Sequence, residues 1–394
     1  MHSFHVRRFL LVVLMTATVT MAVLLTWTSL AAVNRPRQRA VTTDEVVRWM
    51  TVRIVGAARL GNQMFAHASL LGLAAHNGYR PVVSVDDNRL LVSYFDLKTP
   101  VWSTARRRVM LRSAFDAFSW RTYNDGLPCG YENRSQFIGG DVDDDAMFVD
   151  KSVVLFGYFQ SWRYFDSIRD DVRREFRFKE STVDAAHAFL LRARRKHRRR
   201  RRSSSWTTEP PTGSSIKSGY NGNGTSNLFS TTMTSTIITV GVHVRRDDML
   251  SKHSVERGYT VATAEYLRRA VEFFEDRYGT DGRLLFVVCS DDLQWSRDNW
   301  PQRQLLGVGD DGERTALPVR SVEFSTASRR PEVDLAILSS CDHVIMTVGT
   351  FGWWAAFLAG GTTVYYKDFP DPGSPLAVEF RSTDFYYPSW IGLS

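Results

Sequence analysis

A chain of 394 residues that is 43% hydrophobic and 12% aromatic carries enough apolar material for two packed domains, which excludes a disordered or fibrous protein. The net charge of +8 suggests a nucleic-acid binder until it is located: Arg192, Arg194, Arg195, Lys196 and the arginines at 198–202 form one stretch without an acid, and the remainder is near neutral. Three cysteines are too few for a disulfide framework; Cys289 and Cys341, each beside a predicted strand, either pair or stay as buried free thiols.

Residues 9–33 run without a charge, roughly 37 Å as a helix and long enough to cross a bilayer. The segment exceeds an ordinary signal-peptide core, so the expectation is an uncleaved anchor, with 1–8 as a cytoplasmic tail and 34–50 as an Arg-rich stem. Arg7 and Arg8 precede the anchor, while Arg35, Arg37 and Arg39 dilute the charge bias on its far side. Asn133-Arg134-Ser135 and Asn223-Gly224-Thr225 are glycosylation sequons that suit a lumenal body.

A strand at 51–55, a glycine-bearing turn, a helix at 62–76 and a strand at 82–85 predict a βαβ unit. Its glycines do not form a dinucleotide fingerprint. Arg59, Asn62 and Gln63 stand where the turn meets the helix, either to hydrogen-bond a ligand or, for Asn62, to cap the helix. Asp141, Asp143, Asp144 and Asp145 are either metal-holding carboxylates or a solvated acidic turn. A strand at 153–160 precedes a helix carrying Phe165, Ile168, Val172 and Phe176 on one face. These elements make a first Rossmann-like domain at 51–191.

Residues 192–236 pass from the basic run into Ser, Thr, Gly and Asn, and the expectation is a disordered insertion. The basic run reads either as a nucleic-acid or nuclear-targeting patch or as an exposed charged loop. Residues 237–248, I-I-T-V-G-V-H-V-R-R-D-D, then predict a buried strand ending in His243, Arg245, Arg246 and Asp248. Adjacent arginines point to opposite sides, and guanidinium forks match phosphate oxygens; a surface ion pair is the alternative. Further on, a helix at 264–278 and a strand at 284–289 lead to Ser290, Asp291 and Asp292, which either bind a nucleoside or cap the next helix. A helix at 332–340 carries Asp334. After a strand at 343–348, Gly349, Thr350, Phe351 and Gly352 turn into a helix at 353–358, a backbone anion site, and a last strand spans 363–366. The alternation predicts a second Rossmann-like domain at 237–394.

Four segments, R-L-G-N-Q-M at 59–64, G-Y-F-Q-S-W at 157–162, V-G-V-H-V-R-R-D-D at 240–248 and T-V-G-T-F-G-W-W-A-A at 347–356, together resemble glycosyltransferase family 11, the galactoside α-1,2-fucosyltransferases. The resemblance runs in order from residue 51 to Ile391, outside 192–236. Ala58 departs from the family's usual glycine, and the basic insertion is foreign to the pattern. The resemblance implies an α/β, GT-B-like protein: two Rossmann-like domains facing a cleft, behind an N-terminal transmembrane helix, in the Golgi membrane with a lumenal body. It implies inverting transfer of L-fucose from GDP-β-L-fucose to the 2-hydroxyl of a terminal β-galactoside, with no metal or other cofactor and no nucleic-acid partner.

By resemblance His243 and Asp334 contact the guanine, and Arg245 or Arg246, with Gly349, Thr350 and Phe351, hold the diphosphate. Changing Arg246 to Ala is expected to abolish GDP binding. Asp248 is either the base at the acceptor hydroxyl or an orienter of an arginine, and Glu256 is a further candidate base. Two other readings remain open: the same scaffold acting on another acceptor hydroxyl, and a glycan-binding membrane protein without turnover.

Overall fold

The computed structural model describes residues 47–54, 58–103, 105, 120–133, 138, 151–204, 236–279, 283–302, 320–326 and 330–394. Arg48–Ser394 is one compact unit whose two main parallel sheets, of four and six strands, are accompanied by a two-stranded parallel one. The first half contains β1 (Trp49–Arg53), α1 (Leu60–Asn77), β2 (Arg80–Pro81), β3 (Val83–Ser84), α2 (Arg89–Tyr94), β4 (Val101–Trp102), β5 (Trp120–Asn124), β6 (Ser152–Phe156), α3 (Arg169–Glu175) and α4 (Glu180–Ser204). Its main sheet has the order β2-β1-β6-β5, and β3 pairs with β4 beside it. Met50 and Val52 alternate inward along β1 and are fully buried, so the sheet begins at Trp49, inside the segment expected as stem. α1 ends where Gly78 takes a left-handed conformation with φ of 69°, which a side chain disfavours.

The second half contains β7 (Ile238–Val244), α5 (Lys252–Arg257), α6 (Ala264–Tyr278), β8 (Leu284–Ser290), α7 (Leu293–Asp298), β9 (Ser321–Phe324), α8 (Pro331–Ser339), β10 (His343–Met346), α9 (Thr350–Ala359), β11 (Thr363–Tyr366), α10 (Pro375–Glu379), α11 (Ser382–Phe385) and β12 (Ile391–Leu393). The strands lie in the order β12-β11-β10-β7-β8-β9, which is the Rossmann order 3-2-1-4-5-6 read from the other edge. β7 is central and covered on both faces, so every residue from Thr239 to Val244 is buried. α6 matches its expected bounds. Thr263 caps it by accepting from the Tyr266 N–H, and Tyr266, Leu267, Ala270, Val271 and Phe274 form its buried stripe.

The two halves are joined through α9. Trp353 and Trp354 on this helix are fully buried, and their rings meet Phe65 of α1 and Phe165 of the first half at centroid distances between 4.5 and 6.1 Å. Trp354 Nε1 donates to the Gly61 carbonyl at 3.0 Å, and Trp353 Nε1 donates to the Phe385 carbonyl at 2.7 Å. Burial of two indoles is worth several kcal/mol each at about 25 cal/mol per Å², so this contact outweighs any surface ion pair between the halves.

One expectation is corrected. The Arg-rich stretch begins inside α4, a continuous helix to Ser204, because Ala186, Leu190, Ala193 and His197 bury one stripe of it. The segment expected as a disordered insertion from residue 192 is therefore helical through Ser204, and 205–235 lie outside the described residues. Of the two readings left open for Cys289 and Cys341, the structure has buried free thiols, and Cys129 is also free. The 9–33 anchor, the acidic run at 141–145 and Asn223 are outside the described residues, while Asn133 is exposed. Among the described residues no helix is long and apolar enough to cross a membrane.

Beneath α1 lies a buried polar anchor. Glu175 accepts from His67 Nε2 at 3.0 Å and from the backbone N–H groups of Lys98 and Thr99 at 3.1 and 3.0 Å. Burial alone would raise its carboxyl, but the His67 bond and charge together with the Thr99 bonds outweigh it and pull the pKa down to about 2. A depressed carboxylate stabilises the fold above its unfolded pKa of about 4.3, and that contribution fades as pH falls through about 2. The expected effect is on the order of 3 kcal/mol. Melting curves of wild type and Glu175→Gln should therefore differ widely at neutral pH and converge as pH drops from about 5 to about 2; a gap independent of pH would overturn this.

Candidate active site

At the centre of the second sheet the chain leaves β7 toward one edge and returns through β10 toward the other. The connections diverge there and leave a crevice beyond the strand ends. β7 delivers His243, Arg245 and Arg246 to this place, and β10 delivers 347–349. The two ends are tied: the Thr347 N–H donates to the His243 carbonyl at 3.1 Å, and Thr347 Oγ1 accepts from the Arg245 N–H at 3.0 Å. Gly349 turns with φ of 87°, and α9 begins at the next residue. A Cβ on Gly349 would stand 3.3 Å from Arg245 Cδ, so the Arg245 stem runs along this turn. The first N–H groups of α9 lack partners within the helix and carry the positive end of its dipole. A guanidinium and a helix N-terminus thus share one crevice, the arrangement an anionic phosphate requires.

One carboxylate links the crevice to the first half. Asp248 Oδ1 accepts from Arg245 Nη2 at 2.6 Å, and its Oδ2 lies 3.1 Å from Arg59 Nη1. Arg59 is 62% exposed and Asp248 38%, so their pair contributes about 0–1 kcal/mol and cannot be what holds the halves together. Its consequence is positional: two guanidinium groups are aligned at the mouth. Beside them Thr350 Oγ1 donates to Asn62 Oδ1 at 2.7 Å, across the two halves. Asn62 therefore does not cap α1; the cap position is Arg59, without a side-chain bond. Gln63 faces inward, donating to the Ala58 carbonyl at 2.9 Å and holding the turn rather than lining the cleft.

Several expected donor-site residues lie behind the crevice surface. His243 is buried and stacks on Phe351 with ring centroids 5.2 Å apart. Gly352 permits this approach, since a Cβ there would fall 2.5 Å from His243 Nδ1. Burial, with the Arg245 charge second, lowers the His243 pKa to about 3, so the imidazole is neutral at physiological pH. Asp334 accepts from Ser325 Oγ at 2.5 Å; burial raises its carboxyl against that bond.

Ser290 Oγ accepts from the Asp292 N–H and the Ser296 hydroxyl, Asp291 accepts from the Arg246 N–H, and Asp292 caps α7 at Trp295. This cluster is engaged in shaping the loop after β8. Glu256 pairs with Lys252 at 3.8 Å on the exposed face of α5.

Arg246 departs most from expectation. Its guanidinium lies 3.9 Å from the Trp295 ring centroid, donates to the Ala262 carbonyl at 3.4 Å and stands 3.6 Å from Asp292. It is engaged by the Trp295, Ala262 and Asp292 segments, whereas the Arg245 stem runs along the Gly349 turn. Arg245 is the arginine beside the anion turn.

The G-Y-F-Q-S-W segment serves as a junction. Asp125 at the end of β5 accepts from the N–H groups of Tyr158 and Phe159 at 3.0 and 2.6 Å, which pins the turn after β6. Ser161 donates to the Asp384 carbonyl at 2.7 Å, and Arg163 pairs with the Asp384 carboxylate at 3.0 Å. Sequence reasoning missed Thr347, Asp125 and Asp384. Thr347 stood within a quoted motif and was passed over; the other two act across long separations that no local spacing reveals.

The profile of glycosyl transferase family 11 matches residues 223–394. Galactoside alpha-(1,2)-fucosyltransferase 2 of Sus scrofa is 30% identical over 373 residues, covering 93% of this chain and 86% of its own. The chain belongs to glycosyltransferase family 11. Galactoside 2-alpha-L-fucosyltransferase Sec1 of Mus musculus is also 30% identical to this family-11 chain, over 87% of it and 73% of the mouse protein. A solved mutant of Arabidopsis thaliana FUT1 in complex with GDP is similar with a TM-score of 0.46 and 11% identity, covering 83% of this chain and 73% of that one.

Proposed function

We propose that this family-11 glycosyltransferase moves L-fucose from GDP-β-L-fucose to the 2-hydroxyl of a terminal β-galactoside, by inversion and without a metal. The observation that carries the reading is the Arg245 guanidinium set against the Gly349 turn and the N-terminus of α9. The sugar leaves as its bond to the diphosphate breaks, and negative charge grows on the β-phosphate. Fixed guanidinium and N–H donors stabilise that charge. Positive character develops on the fucose ring as in other glycosyl transfers. Asp248 has both oxygens engaged by arginines, which favours a positioning role over that of base. A GT-B-like pair of domains facing the cleft, the 9–33 anchor and a Golgi lumenal location belong to the same proposal.

The test is a transfer assay with GDP-fucose, a simple β-galactoside and EDTA. The expected product carries fucose on the galactose 2-hydroxyl at a rate unaffected by the chelator. Transfer only after added divalent cation would remove the metal-independent mechanism, and product fucosylated at another hydroxyl would remove the assigned acceptor.

A further inference from the structure

The basic stretch has no part in the transfer chemistry, yet the fold holds it rigid. α4 presents Arg192, Arg195, Arg198 and Arg199 to solvent, and none of the four has a carboxylate partner among the described residues. With a rise of 1.5 Å per residue they cover about 10 Å of one face. Lys196 and Arg200 reach Glu323 of β9 at 2.8 and 3.2 Å, fixing the helix on the second sheet's edge, and α4 packs along α8. Like charges so close repel, and nothing internal offsets that cost.

We propose that this face docks an acidic glycan, a chain bearing sulfate or carboxylate groups. Three observations select that partner. The face is almost all arginine, whose planar fork pairs bidentately with sulfate and carboxylate. The apolar stripe a membrane-surface helix would bury in lipid is already spent, since Ala186, Leu190 and Ala193 are in the core. The exposed positions from Leu191 to Arg200 include no aromatic ring on which an unpaired base could stack. That the partner is a glycan rests on the proposed function, which brings glycoconjugates to this protein. The docking face would then hold an acidic chain near the enzyme while a separate galactoside end enters the crevice.

Binding of the full chain to a heparin octasaccharide, to the same octasaccharide after desulfation, to duplex DNA, and to phosphatidylserine-containing vesicles would test this. The sulfated chain should bind tightest, and added salt should weaken it. The quadruple variant Arg192→Gln, Arg195→Gln, Arg198→Gln, Arg199→Gln should bind it at least about tenfold more weakly, with melting equal to or slightly above wild type and unchanged transfer to a neutral galactoside. The pair Arg195→Gln, Arg199→Gln should fall between. Undiminished binding by the quadruple variant, equal binding of the desulfated chain, or tighter binding to DNA or vesicles would each overturn the proposal. Because binding is read without turnover, failure of the transfer assay would leave this result interpretable.

Discussion

Arg245→Ala is expected to lower kcat/KM by about 10²–10³ and to remove detectable GDP binding, the size of loss seen when a preorganised donor to a developing anion is deleted. The reason is geometric: Arg245 runs along the Gly349 turn and is held by Asp248 at 2.6 Å, so it needs no reorganisation to meet a phosphate. Arg246→Ala should behave differently. It forfeits a stacking contact with Trp295, worth about 0.5–2 kcal/mol, and so lowers melting more than it lowers nucleotide affinity. Titration calorimetry with GDP on both variants, beside their melting curves, separates the two. If Arg246→Ala were the variant that lost GDP and Arg245→Ala kept it, the assignment of the anion crevice would be wrong.

Gly61→Ala should damage the site and the fold together. Its Cβ would lie 2.6 Å from Thr350 Oγ1 and 2.8 Å from the backbone nitrogen of Phe351, at the first turn of α9. Retreat of the Thr350 backbone is opposed because Trp354, four residues further along α9, donates to the Gly61 carbonyl at 3.0 Å. Overpacking of this kind costs about 1–3 kcal/mol. The larger effect is on rate: a shift of about 1 Å at the start of α9 moves the anion-binding N–H groups and can cost about 10²-fold. Thermal melting and kcat/KM should fall together, and a variant with normal kcat/KM would show that the two turns are not coupled as described.

The second half was more legible than the first for a physical reason. Its strands are buried on both faces and its helices amphipathic, so period and burial agree; α6 and β11 coincide with their expected bounds. The β1 start was misplaced by two residues because Trp49 and Met50 follow a polar run. The basic stretch was misread because charge composition speaks for disorder, whereas three small or apolar residues spaced along one stripe were enough to keep the helix continuous. In the site, chemistry identified the arginine pair and the Gly349 turn, but not which arginine serves the turn. That depends on how the chain leaves β7 beside the end of β10, which the register of the two paired strands sets and sequence spacing does not. The link between Arg59 and Asp248 joins residues nearly two hundred positions apart and has no local signature.

The tryptophan pair of α9 bears on how the polypeptide could be divided. The helix that supplies the anion site at one end supplies, along its side, part of the apolar interior of the other half. A break in the chain between Ser204 and Thr236 would sever the covalent route between the halves and leave this shared interior intact. The enzyme would persist as two complementing fragments. Neither fragment would fold alone, because each would expose the surface that the indoles now fill. Duplication or exchange of one half in evolution would accordingly be constrained to partners that preserve both tryptophans and the glycine that Trp354 meets.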